Sequence, residues 1–171
     1  MSTRNKKPNW SYFDVNAVLV DFPESTEEFT IVIDDILVEI TQIVEFYKGL
    51  KEEMGLPPIY HAKSVLKRLV YQLVDECHNA GWVSALKEEM ERRVVANGGR
   101  FRKDSEEDDL RTVFYMCLRG LDPNQKWVKS GEASRLAKQL SYAHEYEVPQ
   151  EYLIGFTYQY GGDEVITFVS S

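Results

Sequence analysis

Few side chains in this sequence could carry out metal or nucleophilic chemistry. Besides the carboxylates, the candidates are three histidines and two cysteines: His61, His78, His144, Cys77 and Cys117. Asp75 and His78 would share one face of a helix, but a zinc site needs three or four ligands and only these two are placed together. Cys77 and His78 are adjacent, and adjacent helical residues do not face each other. The sequence therefore predicts no metal site, no cofactor and no catalytic residue.

One basic cluster could bind phosphates. It surrounds two glycines and combines five cations with an aromatic residue: Arg92, Arg93, Arg100, Phe101, Arg102 and Lys103. Cations hold phosphate groups and an aromatic ring can stack on a base, so the cluster is a candidate nucleic-acid site. The acidic run over residues 104–109 opposes this hypothesis, because its carboxylates lie within a Debye length of about 8–10 Å. Nucleic-acid binding at residues 92–103 is therefore kept as the alternative function.

The C-terminal part of the chain could instead bind a protein. From Gln139 to Ser171 there is no Lys or Arg. The residues predicted to contact a partner are acidic or aromatic: Glu147, Glu151, Tyr152, Phe156, Tyr158, Tyr160, Asp163 and Glu164. Aromatic side chains supply rigid contact area, and carboxylates steer a cationic partner toward them. The competing interpretation is that the aromatic residues are core and the charges only keep the protein in solution.

A long N-terminal helix is the clearest structural prediction. Apolar side chains recur at alternating spacings of four and three: Phe29, Ile33, Ile36, Ile40, Ile43, Tyr47, Leu50 and Met54. A capping box begins at Ser25, and Gly55 followed by Pro57-Pro58 ends the helix. This heptad seam must pack inside the fold or, in a homodimer, against the 29–54 helix of a second copy.

Four more helices follow from apolar stripes over residues 60–79, 82–96, 105–120 and 132–146. The first of them should form an antiparallel hairpin with the long helix. Ser105 is the predicted N-cap of the helix over 105–120. Cys77 and Cys117 lie on apolar stripes, so we predict buried free thiols and, from them, a cytoplasmic protein.

The two ends of the chain are predicted to form a small antiparallel sheet. The apolar run over residues 15–22 suggests a buried strand. Residues 152–160 and 165–169 flank a Gly-Gly-Asp turn and suggest a hairpin, although a helix starting at Pro149 would also align the aromatic residues. The predicted fold class is therefore α+β: mostly helical, with a long N-terminal helical hairpin and this sheet.

Composition narrows the choice of partner. The 171 residues include 28 acidic and 20 basic side chains, for a net charge of −8. Such a chain is repelled by nucleic acid and by anionic membranes unless a local patch reverses the field. No apolar run is long enough to span a membrane. Residues 1–9 are expected to form a flexible basic tail, and residues 10–171 a single globular domain.

The function predicted from these features is that of a non-enzymatic acidic regulator or inhibitor. It would bind the basic surface of another protein, and the nucleic-acid-binding face of a partner is one such target, as for phage- or plasmid-type inhibitors. The first alternative is a nucleic-acid-associated protein that uses residues 92–103. The second is an enzyme whose site the sequence does not reveal.

Overall fold

The described part of the chain is built only from helices. A computed structural model describes residues 24–55, 60–101 and 109–160. Within these ranges there are six α-helices and one 3₁₀ turn, and no strand. In chain order they are α1 (Thr26–Met54), α2 (Ala62–Ala80), α3 (Val83–Ala96), α4 (Leu110–Leu121), α5 (Ser130–Glu145), the 3₁₀ turn (Gln150–Tyr152) and α6 (Leu153–Tyr160). The predicted α+β class is therefore wrong.

The long helix α1 has the predicted ends. The Ser25 hydroxyl accepts a hydrogen bond from the backbone N–H of Glu28 at 3.2 Å, which is the capping contact that the sequence indicated. At the other end Gly55 has a φ of 61°, the left-handed conformation that glycine adopts without strain. Between these ends the heptad seam faces the interior. Its fully buried members include Phe29, Ile40 and Tyr47. The seam is thus used within the chain.

The helix α2 occupies the centre of the fold. It contacts every other helix and the 3₁₀ turn. Nine of its residues are buried, among them Leu66, Leu69, Leu73 and the charged Arg68. A helix that is apolar on most of its circumference requires such an environment, because each exposed leucine would forfeit about 1.5–3 kcal/mol of transfer free energy.

The C-terminal segment is the clearest departure from the sequence-based expectation. Residues 152–160 were predicted as a strand but form the end of the 3₁₀ turn and α6. The buried side chains are Leu153, Ile154 and Thr157, a spacing that belongs to one face of a helix and not to alternate residues of a strand. Pro149 has a φ of −63° and an extended ψ as the cap before the turn, so the alternative helix starting there is the correct one.

Other predicted boundaries differ by a few residues or cannot be compared. The helix predicted from Ser105 begins at Leu110, and the Asp109 carboxylate caps it by accepting from the backbone N–H of Arg111 at 3.1 Å. Ser105 itself, the strand predicted over 15–22, the strand over 165–169 and the tail over 1–9 lie outside the described residues. Among the described helices, none combines the length and the apolar character that a membrane span requires.

The helices α3 and α4 approach closely at a glycine. A Cβ atom added at Gly120 would lie 3.2 Å from the Cβ of Met90 and 3.3 Å from its Cα. These are atoms at the backbone of α3, so they cannot move aside without shifting that helix. By contrast, an added Cβ at Gly49, in the exposed part of α1, would have no atom within 4 Å.

We therefore expect opposite effects from two identical substitutions in helices. Gly120→Ala should lower the free energy of unfolding by about 1–3 kcal/mol, since overpacking outweighs the gain in helix propensity. Gly49→Ala should raise it by about 0.5–1 kcal/mol, since only the propensity changes. Urea denaturation of both variants measures the difference. Equal stabilisation by both substitutions would contradict the packing of α3 against α4.

Candidate functional site

An exposed acidic and aromatic surface lies where α5 ends and the 3₁₀ turn begins. We call it the acidic corner; it consists of Glu145, Tyr146, Glu147, Glu151 and Tyr152. The Tyr146 and Tyr152 residues are 58% and 66% exposed, and all three glutamates are exposed as well. The ring of Tyr146 also lies against that of Tyr142, with centroids 4.8 Å apart. Exposed aromatic side chains beside carboxylates can supply rigid contact area and charge to a partner.

The backbone of the acidic corner is held in place by the turn that ends α5. The N–H of Glu147 donates to the carbonyl of His144 at 3.0 Å, and the N–H of Val148 donates to that of Ala143 at 3.1 Å. Glu147 has a φ of 54°, a left-handed backbone conformation that residues other than glycine and asparagine rarely adopt. The turn thus projects neighbouring side chains from a fixed backbone.

Two contacts with α2 anchor this corner further. The Tyr71 hydroxyl donates to the carbonyl of Val148 at 2.6 Å. The side-chain amide of Gln150 donates to the carbonyl of Arg68 at 3.2 Å and to the amide oxygen of Gln72 at 3.1 Å. Burial, with the nearby Asp75 carboxylate, raises the pKa of Tyr71 above its ordinary value, so its hydroxyl keeps the proton that it donates.

The structure brings together only some of the residues predicted to bind a protein. Glu147, Glu151 and Tyr152 belong to the acidic corner. Phe156 is half-buried, and its ring stacks on that of Tyr142 with centroids 5.7 Å apart. Tyr158 and Tyr160 lie in α6, where the structure does not describe their side chains, and Asp163 and Glu164 lie outside the described residues.

Sequence reasoning missed Tyr146 and Glu145 as members of this surface. Tyr146 was counted only as the end of a helix. Its exposure follows from the turn at Glu147, and no local sequence signal such as Gly or Asn marks a left-handed residue there.

The predicted basic cluster is partly neutralised in the structure. Arg92 forms an ion pair with Glu89 one turn earlier in α3. The Arg93 guanidinium lies 2.6 Å from Oδ1 of Asp34 on α1 and 3.5 Å from Oε1 of Glu89.

The rest of that cluster offers less to a nucleic acid than the sequence suggested. Arg100 is exposed, while Phe101 is half-buried with its ring tilted against that of Tyr115, with centroids 6.1 Å apart. A base could not stack on the part of Phe101 that packs on the protein. Arg102 and Lys103 lie outside the described residues.

A second charged surface, which sequence reasoning did not find, is an open cleft of about 790 Å³. We call it the basic cleft. Six cationic side chains line it against two carboxylates, Glu52 and Glu132. The cations come from four separate parts of the chain: Lys48, Lys51, Lys63, Lys67, Lys126 and Arg135. The local signals were two pairs, at positions 48 and 51 and at positions 63 and 67, each of which faces one side of a helix.

The cations of the basic cleft repel one another. Lys63 and Arg135 share one carboxylate oxygen, Oε2 of Glu132, at 2.7 and 3.1 Å. Lys67 forms no ion pair with any residue that the structure describes. Burial, followed by repulsion from Lys63 and Arg135, lowers the pKa of Lys67 from 10.5 to about 8. A cation disfavoured in this way within a cleft is a typical feature of a functional site.

The N-terminus of α2 opens into the same cleft. The cap residue is His61, whose side chain makes no capping hydrogen bond, and the first turn carries no acidic residue. Ala62, Lys63 and Ser64 line the cleft. Their backbone N–H groups belong to the first turn and have no acceptor within the helix. The positive end of the helix dipole therefore adds to the cationic side chains.

The buried Asp122 carboxylate holds the loop that forms one side of the cleft. The two oxygens of Asp122 accept hydrogen bonds from the backbone N–H groups of Lys126, Trp127 and Val128 at 2.7, 2.9 and 2.8 Å. This contact fixes the loop between α4 and α5, so that Lys126 and Trp127 face the cleft. Trp127 and Leu136 contribute apolar surface to a lining that is otherwise charged.

The residues first considered for metal or nucleophilic chemistry have other roles. The Nε2 of His144 lies 2.8 Å from Oδ1 of Asp75, so this carboxylate is bound across helices and not by His78. Among the described residues no three His, Cys, Asp or Glu side chains are placed to share a metal ion. The predicted burial of Cys77 and Cys117 as free thiols is confirmed. Desolvation raises the pKa of both thiols, that of Cys77 to about 12.

Comparison with known proteins adds no relative. Neither a protein-family model, nor a curated protein, nor a solved structure matches the chain. The functional argument therefore rests on the chemistry of the acidic corner and the basic cleft.

The lowered pKa of Lys67 has a measurable consequence for stability. In the folded protein this ammonium group loses its proton near pH 8, whereas in the unfolded chain it does so near 10.5. Between these values the unfolded state binds more protons, so this group's destabilising effect weakens as the pH rises. Lys67→Met should thus stabilise the protein at pH 7 by on the order of 1–2 kcal/mol.

The gain from Lys67→Met should shrink as the pH is raised from about 7 to about 10, because the wild-type lysine then loses its charge. Urea denaturation of the two proteins at both pH values gives the comparison, and other titrating groups cancel in the difference. A gain that stays constant with pH would contradict the crowding of charges at Lys67.

Proposed function

We propose that this chain is a non-enzymatic regulatory or inhibitory protein that binds a basic surface of another protein through its acidic corner. The observation that carries this proposal is the pair of exposed tyrosines, Tyr146 and Tyr152, beside three exposed glutamates on one anchored turn. Tyrosine is enriched among the residues that contribute most to binding energy, because its ring buries a large area at a low cost in conformational entropy.

The charges of the acidic corner support a positively charged partner. Glu145, Glu147 and Glu151 create a negative field around the two rings, and no lysine or arginine follows Lys138 in the chain. Such a field speeds the encounter with a positively charged surface and disfavours acidic partners. Surfaces that bind nucleic acid are rich in lysine and arginine, so a nucleic-acid-binding protein is the partner that this chemistry fits best.

We propose that the protein acts in the cytoplasm, which is a reducing compartment. The two buried free thiols, Cys77 and Cys117, support this location. Nucleic-acid binding by residues 92–103 is less favoured, because Arg92 and Arg93 already form ion pairs with carboxylates of the same chain.

The test compares two charge-reversed proteins of equal net charge. Glu145→Lys/Glu147→Lys alters the acidic corner and leaves Glu151, which acts on the buried Arg68, in place. Glu88→Lys/Glu91→Lys alters two exposed glutamates on α3. Partners captured from the source cells by the wild-type protein are quantified for each variant. Association rates with the purified partner are then measured at low and at physiological salt.

We expect the corner variant to associate about tenfold or more slowly at low salt, with a weaker dependence on salt, while the α3 variant behaves like the wild type. Thermal melts should show that both variants are folded. If a captured partner associates equally fast with the wild type and the corner variant, the acidic corner is not its binding surface.

A further inference from the structure

We propose that the basic cleft binds a small organic ligand that carries two or more linked phosphate groups. This site is separate from the acidic corner and shares no residue with it. It is independent of the proposed regulatory function, and either proposal can fail without the other.

The balance of charge in the cleft indicates the charge of the ligand. Six cationic side chains line the cleft together with two carboxylates, and a third carboxylate, that of Glu45, lies 3.6 Å from Nζ of Lys126. The local charge is therefore positive, although the whole chain has a net charge of −8. A phosphate monoester carries about 1.5 to 2 negative charges at neutral pH. Six cations against three carboxylates leave an excess of three positive charges. Two phosphate groups would balance this excess, and a single phosphate would leave part of it unbalanced.

The donors are placed where a phosphate could be held. The first-turn N–H groups of α2 have no acceptor within the helix. Lys63 belongs to that first turn and Lys67 to the second turn. Helix N-termini of this kind bind phosphate through their N–H groups and dipole.

A bound phosphate would also relieve the repulsion within the cleft. Lys67 is half-buried beside Lys63 and Arg135, and those two cations already share the single carboxylate of Glu132. Phosphate oxygens would offset this repulsion by accepting charge-assisted hydrogen bonds from the ammonium groups of Lys63 and Lys67.

The size of the cleft favours a small molecule over a nucleic-acid strand. A volume of about 790 Å³ is in the range of pockets for cofactor-sized ligands. The cations converge on this one concavity, whereas sites for a polymer spread them along a groove that follows the backbone. Trp127 and Leu136 provide an apolar wall for the organic part of the ligand.

The test is calorimetric titration of the full chain at low salt with three probes: inorganic pyrophosphate, inorganic phosphate and a single-stranded oligonucleotide. The proteins are the wild type, Lys63→Gln/Lys67→Met in the cleft, and Lys87→Met on α3 as a control that also removes a lysine. Thermal melts with and without pyrophosphate give an independent readout, since a ligand of the folded state raises the melting temperature.

We expect the wild type and the α3 control to bind pyrophosphate with a Kd below about 1 mM, and to bind inorganic phosphate at least about tenfold more weakly. The cleft variant should lose about tenfold or more in affinity for pyrophosphate, while remaining folded and no less stable than the wild type. Pyrophosphate should raise the melting temperature of the first two proteins more than that of the cleft variant.

Three results would overturn the proposal. One is the absence of pyrophosphate binding to the wild type at low salt. Another is equal pyrophosphate affinity in the wild type and the cleft variant, which would place any binding elsewhere. The third is tighter binding of the oligonucleotide than of pyrophosphate, lost in the cleft variant, which would make the cleft a nucleic-acid site.

Discussion

The burial of α2 is the constraint on which the rest of the structure depends. Every other described element packs on this helix, and Arg68 lies fully buried on it. Desolvation lowers the pKa of the Arg68 guanidinium, while Tyr60, Tyr47 and Glu151 oppose that shift. Arginine does not lose its proton in proteins, so these neighbours must remain around the charge. Tyr47 comes from α1 and Glu151 from the 3₁₀ turn, so residues about a hundred positions apart in the sequence act on this one charge.

The same helix positions both charged surfaces. Successive turns of α2 carry Lys63 and Lys67 toward the basic cleft, Arg68 into the core, and Tyr71 and Gln72 toward the segment that bears the acidic corner. Arg68 follows Lys67 in the chain, and its backbone carbonyl accepts a hydrogen bond from the side chain of Gln150. Because these residues lie on one rigid helix, neither surface can be displaced far without disturbing the packing of α2.

Local sequence signals predicted the helices over residues 26–145 well and the segment over 152–160 poorly. The capping contact of Ser25 and the glycine at position 55 are determined by neighbouring residues, so they could be predicted without knowledge of the fold. The segment over 152–160 could not, because Tyr152, Phe156 and their neighbours fit both a strand and a helix. Tertiary burial of Leu153 and Ile154 on one side decides between them. The basic cleft was harder to predict than this segment, because its cations come from four parts of the sequence and only packing brings them together.

The basic cleft also shows why net charge is a poor guide to what a protein binds. A net charge of −8 suggests repulsion of any anion, and it supports the acidic corner as a surface for basic partners. At physiological ionic strength, however, charges more than about 8 Å apart at the surface are largely screened from one another. A ligand in the cleft would therefore be affected mainly by the charges that line it, such as Lys63, Lys67 and Arg135, and by the end of α2. Folding gathers cations from four parts of an acidic chain into one cleft, so the local charge there differs in sign from the net charge, and the two proposed partners have opposite charges.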